Sequence, residues 1–304
     1  MKIKIALVVS LIFISLYCRQ NALTYTRSGG RFGDDLVAYT HVKWLSHLYG
    51  IPLLYKPFPF SDMLKLHYSE TLYDEKKISG MYKKVNFNSR MRLIRDSPQG
   101  LLYIIPYFPE SLQEYENINS FFLYSKVNWS DQKFMQELRS LISPVHELKL
   151  IPLPQDKITV AVHVRKGTQN IDTYQWINKL PFKFPNDTFY IESIKKIYEI
   201  FEQPLYVYIF TDCPSPQKIK NTFEHAINNP HIQFACRNSS SDADLLVDFF
   251  SMMHFDCLIR PDSNYSIMAS RLGTFKIIIS PASLKKSGNG NVIDKIHIEQ
   301  NLTV

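Results

Sequence analysis

Cysteine and glycine are both scarce in this chain. Four Cys and 10 Gly occur among 304 residues, against 17 Pro and 20 Phe. Neither a Cys-x-x-Cys pair nor a Cys/His cluster is present, so the spacing supports no zinc site and we expect no metal. If Cys18 leaves with an N-terminal segment, Cys213, Cys236 and Cys257 remain, and at least one thiol is unpaired. More Pro than Gly, with no internal repeat, argues against a low-complexity chain. There is no basic stripe with interleaved aromatics and no zinc-finger or helix-turn-helix spacing, so nucleic acid is not an expected partner.

What is present fits a soluble globular protein. Hydrophobic residues make up 45% and charged residues 21%, and the length suits one large domain or two of ordinary size. The formal charge of +7 and pI near 9.0 suit an anionic ligand, such as a phosphorylated small molecule or an acidic surface. At the N-terminus, Lys2 and Lys4 precede an apolar run from Ile5 to Tyr17. That run is too short to span a ~30 Å hydrocarbon layer but matches the core of an export signal. We therefore read residues 1–21 as a signal peptide or membrane anchor, with a buried strand at Val8 to Ile14 as the alternative. A secretory, periplasmic or membrane-associated location follows.

Along the chain, Ala22 to Arg27 reads as a strand and GGRFGDD as a turn. Asp34 or Asp35 then caps a helix that runs through His47 and is closed by Gly50. Leu53 to Tyr55 is the next strand, which completes the opening of a βαβ unit. The following residues carry weak periodicity up to a short strand in LLYIIPYF (Leu101 to Phe108), and Phe121 to Leu141 has helical character. SPVHELKLIPLPQDK, with Pro144, Pro152 and Pro154, is the best linker. It separates a domain at residues 22–150 from one at 155–304. In the second domain, near-continuous apolar strands alternate with helices: KITVAVHV, a helix from Asp187 to Glu202 opened by Asn186 or Asp187, PLYVYIFTD, a helix from Pro216 to Asn228, IQFAC, DADLLVDFFSMMHF, CLIR, SNYSIMASRLG and FKIIIS. This pattern predicts a parallel sheet covered on both faces, hence an α/β, Rossmann-like domain.

In open parallel sheets a ligand lies beyond the carboxyl ends of the strands. The polar residues placed there are His163, Arg165 and Lys166 after the first strand and Thr211 and Asp212 after the second. Ser263, Asn264 and Ser266 open the last helix of interest. Arg165, Lys166 and that helix start together suit a diphosphate, while Asp212 suits a ribose hydroxyl or a base N–H. Each residue also has a plainer reading: His163 as a core histidine, Arg165 as an ion-pair partner, Ser266 as a helix cap.

Those stretches, in that order, resemble the fucosyltransferases that share an H-x-R motif, namely the α1,2-, α1,6- and protein O-fucosyltransferases. GGRFGDD is similar to their G-R-[LF]-G-N-Q signature, VAVHVRKGT to V-x-x-H-[IV]-R-R-x-D, and VYIFTD to [YF]-x-F-[ST]-D. DFFSMMHFDCLIRPDSNYS is similar to the bacterial α1,2 pattern that runs from Asp248 to Ser266. The resemblance implies a GT-B-like architecture of two Rossmann-like domains facing a cleft, GDP-fucose as donor, a glycan or protein hydroxyl as acceptor, inverting transfer, and no metal or cofactor. It implies that Arg165 holds the β-phosphate, with Lys166 where a second arginine is usual. His163 would contact the nucleotide, Asp212 the guanosine, and Asn264 and Ser266 the phosphates. Gly30, Arg31 and Gly33 would approach donor or acceptor. Asp34 stands where the family has asparagine and serves either as general base or only as a helix cap. Thr168 in place of the family's aspartate, and SIMAS in place of SWWAA, keep a second reading open: a catalytically silent protein that binds a glycan or nucleotide.

Overall fold

A computed structural model describes residues 19–87, 92–107, 126–166, 180–238, 244–287 and 290–301. The chain divides into two compact units, with the divide between Glu147 and Leu148 inside the proline-rich stretch. Residues 1–18 lie outside the described set, and with them most of the segment read as a signal or anchor. Among the described residues no helix is long and apolar enough to cross a membrane. Asn21, placed by sequence in that N-terminal segment, is fully buried in the first unit. Its side-chain oxygen accepts from Ser97 Oγ at 2.7 Å and from the Leu101 backbone N–H at 2.6 Å.

The first unit contains β1 (Arg19–Gln20), β2 (Ala22–Tyr25), α1 (Phe32–Tyr49), β3 (Leu54–Tyr55), α2 (Leu66–Ser69), β4 (Thr71–Leu72), α3 (Glu75–Ile78), β5 (Lys83–Asn86), β6 (Asp96–Ser97), β7 (Leu101–Ile105) and α4 (Gln132–Leu141). Strands β2, β7 and β5 form a parallel sheet in that order. A parallel bridge between Leu23 and Leu53 and the parallel β3–β4 pair extend it beyond β2. β2 is buried along its whole length, as a strand covered on both faces must be. Helix α1 starts earlier than its sequence suggests: Arg31 is the N-cap, so Asp34 and Asp35 sit inside the first turn rather than at the cap. Gly50 ends the helix in the left-handed conformation that its missing Cβ permits. The helix expected from Phe121 begins only at Gln132, capped by the Asp131 side chain; positions 121–125 are outside the described residues.

The second unit contains β8 (Ile158–Val164), α5 (Asp187–Phe201), β9 (Leu205–Thr211), α6 (Pro216–Ile227), β10 (Ile232–Cys236), α7 (Leu245–Met252), β11 (Cys257–Ile259), α8 (Asn264–Leu272), β12 (Ile277–Ser287) and β13 (Gly290–Gln300). Their sheet has the order β10-β9-β8-β11-β12-β13 and is parallel except for β13. Numbered from β8, the five parallel strands stand in the order 3-2-1-4-5, the doubly wound arrangement whose reversal falls between β8 and β11. Val160, Val162, Val207, Ile209, Ile259, Ile277 and Ile279 fill the core, against Ile194, Ile197 and Phe223 from the helices. Where the sequence reading stopped at FKIIIS, β12 runs on to Ser287 and turns back into β13. Ser287 pairs with Gly290 at the end of the ladder. Among the described residues, Cys213, Cys236 and Cys257 are free thiols.

At the amino ends of the central strands, Asp256 joins three elements. Its Oδ2 accepts from the Thr159 backbone N–H at 2.9 Å and from Thr159 Oγ1 at 2.8 Å, and its Oδ1 meets Lys276 Nζ at 2.8 Å. Burial pushes this carboxyl up, but the lysine and the threonine donors outweigh it and leave the group below the ordinary carboxylate value. A depressed folded-state value means the stabilisation is present above the unfolded-chain value and is lost as pH falls through the folded one. Asp256→Asn should therefore lower stability by about 1–3 kcal/mol at neutral pH. The difference from wild type should shrink on acidification, as read from urea midpoints across the acid range.

Candidate functional site

The switch point between β8 and β11 gathers most of the second unit's candidates. β8 delivers His163 inside the sheet and Arg165 and Lys166 just past its end, and β11 leads through Arg260, Pro261 and Asp262 to Ser263, the N-cap of α8. Parallel pairing of Val162 with Ile259 sets the two strand ends side by side. Arg165 Nη1 then donates to Ser263 Oγ at 2.8 Å. The same guanidinium lies over the Phe184 ring, 5.4 Å from its centre.

Ser263 serves a partner outside its own helix. Helices α4, α5 and α7 are each capped by the side chain of Asp131, Asn186 or Asp244, whereas the Ser263 hydroxyl makes no cap bond. It accepts from Arg165 instead, while its own carbonyl accepts the Ile267 N–H at 2.8 Å. The first-turn amides of α8 thus point their positive dipole end toward a fixed cation. Two centres of like sign converge there, an arrangement that an anion stabilises. Asn264 and Ser266 lie in this buried first turn, where Ser266 Oγ donates to the Ser263 carbonyl at 3.2 Å. His163 is buried, with its ring 5.5 Å from that of Tyr265, and the Tyr265 hydroxyl donates to the Leu245 carbonyl. The histidine therefore packs against α8 from the β8 side.

Lys166 and Asp212 are arranged in a way that their residue types do not reveal. Lys166 Nζ pairs with Asp187 Oδ1 at 2.6 Å, at the first residue of α5. Asp212 Oδ1 accepts the Lys166 backbone N–H at 2.9 Å. Sequence reasoning treated Asp187 only as a helix-capping residue and did not assign Phe184 any role. The apolar-aromatic LPFKFP segment was the available signal for Phe184. Asp248 in α7 pairs with Arg237, the residue after β10, and both side chains are largely buried.

The other candidates belong to the first unit. Gly30 and Arg31 precede α1, and Gly33 is buried in its first turn. Asp34 closes that turn: Oδ2 accepts the Arg31 N–H at 3.0 Å, and Oδ1 accepts from the Tyr107 hydroxyl at 3.3 Å. Asp35 is fully buried in a two-pronged pair with Arg27, both contacts 2.9 Å. A Cβ at Gly30 would sit 2.2 Å from Asp34 Oδ2, so this glycine is required by the folded-back carboxylate. Among the described residues no group of His, Cys, Asp and Glu is gathered to hold a metal ion.

No family model matches the chain, and no curated protein matches it in sequence. Solved structures do match. An Arabidopsis thaliana FUT1 variant in complex with GDP is 10% identical over 86% of this chain and 70% of its own, with a TM-score of 0.53. The chain has the fold of that protein. NodZ α-1,6-fucosyltransferase co-crystallised with GDP is 12% identical over 93% of this chain and 99% of its own, at 0.48. POFUT1 in complex with GDP-fucose is 12% identical over 84% and 96%, at 0.44.

Gly30→Ala should destabilise the first unit by about 1–3 kcal/mol, because the new methyl group displaces Asp34 from the helix start. In an Asp34→Ala background the same change should cost about 1 kcal/mol less. Urea midpoints of the four proteins in this cycle measure the difference.

Proposed function

We propose that this chain is a glycosyltransferase that moves fucose from GDP-fucose to a hydroxyl of a glycan or protein, with inversion and without a metal. One observation carries the reading: the Arg165 guanidinium and the uncapped start of α8 meet at the switch point of a doubly wound sheet. A guanidinium fork fits phosphate oxygens two at a time, and helix-start amides add donors from the other side. The GDP bound by the plant protein of the same fold supports a nucleotide as ligand. The choice of fucose rests on the H-x-R resemblance, and the apolar run Ile5 to Tyr17 supports a secretory or membrane-associated setting.

In this mechanism an acceptor oxygen forms a bond to the anomeric carbon of fucose as the bond from that carbon to the β-phosphate oxygen breaks. GDP leaves with the electron pair, and Arg165 and the α8 amides stabilise the charge that grows on its phosphate. The acceptor proton passes to a carboxylate, for which Asp34 is the candidate. Asp34 already serves the helix start, where it accepts from the Arg31 N–H and the Tyr107 hydroxyl. The same observation favours the second reading, in which the fold binds its nucleotide or glycan without transfer and Asp34 serves only the helix.

Arg165→Ala should leave a folded protein but remove stabilisation by GDP, which for wild type at 100 times Kd amounts to about 2.7 kcal/mol. Transfer should fall about 100- to 1000-fold. Undiminished GDP stabilisation and turnover in that variant would refute the assignment. Thermal shifts with GDP, UDP, CMP and ADP, followed by a GDP-fucose turnover assay, provide both readings.

A further inference from the structure

The chain just past β8 is fixed from several directions, by contacts to its backbone and to its charges. Register pairs Val164 with Thr211, which puts Asp212 beside Arg165 as the two strands end. At that point the ladder stops, and the Lys166 N–H needs a new acceptor. Asp212 Oδ1 supplies it at 2.9 Å. The Lys166 side chain is held separately by Asp187 on α5. On the far side of Arg165, Ser263 takes the guanidinium.

We propose that Asp212 is a positioning residue: by holding the Lys166 backbone it fixes Arg165 against the start of α8, and it does not read the base. The ligand consequences rest on the anion-site reading above, but the backbone contact stands without it. Strand order supports the assignment, because β9 lies on the side of β8 away from β11 and α8. An ionised acceptor on a backbone N–H is also among the stronger hydrogen bonds available at a strand end.

Two variants separate positioning from base recognition. Asparagine keeps an oxygen at the same place and can still accept the Lys166 N–H, whereas alanine cannot. Full-length, nucleotide-free protein is first followed by hydrogen exchange at the Lys166 amide. Asp212→Ala should speed exchange at least about tenfold, and Asp212→Asn should stay close to wild type. Affinities for GDP, UDP and ADP are then measured on the same proteins. Positioning predicts that Asp212→Ala weakens all three by a similar factor, about tenfold or more, and that Asp212→Asn restores them with the order among bases unchanged. If Asp212→Ala does not fold, Asp212→Ser, which shortens the acceptor, takes its place in both arms. Unchanged Lys166 exchange in the alanine or serine variant overturns the proposal. So does an asparagine variant that keeps the amide protected yet loses preference for GDP over UDP and ADP. Wild-type protein that binds none of the three nucleotides overturns the donor reading instead, and the exchange arm alone then decides the role of Asp212.

Discussion

The second unit depends on one contact between two positively polarised groups, the Arg165 guanidinium and the N-terminal end of α8. Both are positively polarised, so their mutual approach is unfavourable by itself and the fold holds them together by defined contacts. It does so with the parallel register of β8 and β11, which joins the two strand ends, and with the Ser263 hydroxyl, which is diverted from capping to accept from the arginine. The opposite edge of the same strands is closed differently. There Asp256, Thr159 and Lys276 satisfy one another in a compact polar knot, and charge is balanced.

Much of this was legible in the sequence, and the reasons are specific. A parallel strand buried on both faces has no polar alternation, so KITVAVHV and LYVYIFT announce themselves through Val, Ile and Phe. Helices α5 and α6 were readable within a residue or two because Asn186 caps the first and Pro216 opens the second. Once strand and helix alternate, topology alone sends Arg165, Asp212 and Ser263 to the same edge. The hairpin at β12 and β13 was missed because its strands are amphipathic edge elements carrying Lys and Asp, such as the Lys285–Asp294 pair, which composition reads as surface loop.

Residue type also misled at the start of α1. Paired aspartates before an apolar run look like caps, yet the helix begins at Phe32 and uses them within its first turn. The two then part company. Asp35 turns inward to Arg27 with no exposure, while Asp34 folds back on the Arg31 amide and reaches Tyr107. Sequence cannot distinguish these fates, since they depend on which side of the helix faces the sheet. Gly30 records the outcome: only a residue without Cβ leaves space for the Asp34 carboxylate.

Lys166 explains why the arginine matters so much here. Lys166 stands where the H-x-R resemblance leads one to expect a second arginine. A lysine offers a point charge on a flexible stem, and in this fold that charge is already matched by Asp187 at 2.6 Å. Asp212 takes the Lys166 backbone N–H beside it. The groups left to meet an anion are then the Arg165 guanidinium and the first-turn amides of α8, and both act over short range. An anion held this way gains from fixed orientation rather than from a broad field. Small displacements of the 165–166 backbone therefore weigh more heavily on such a site than changes in distant surface charge.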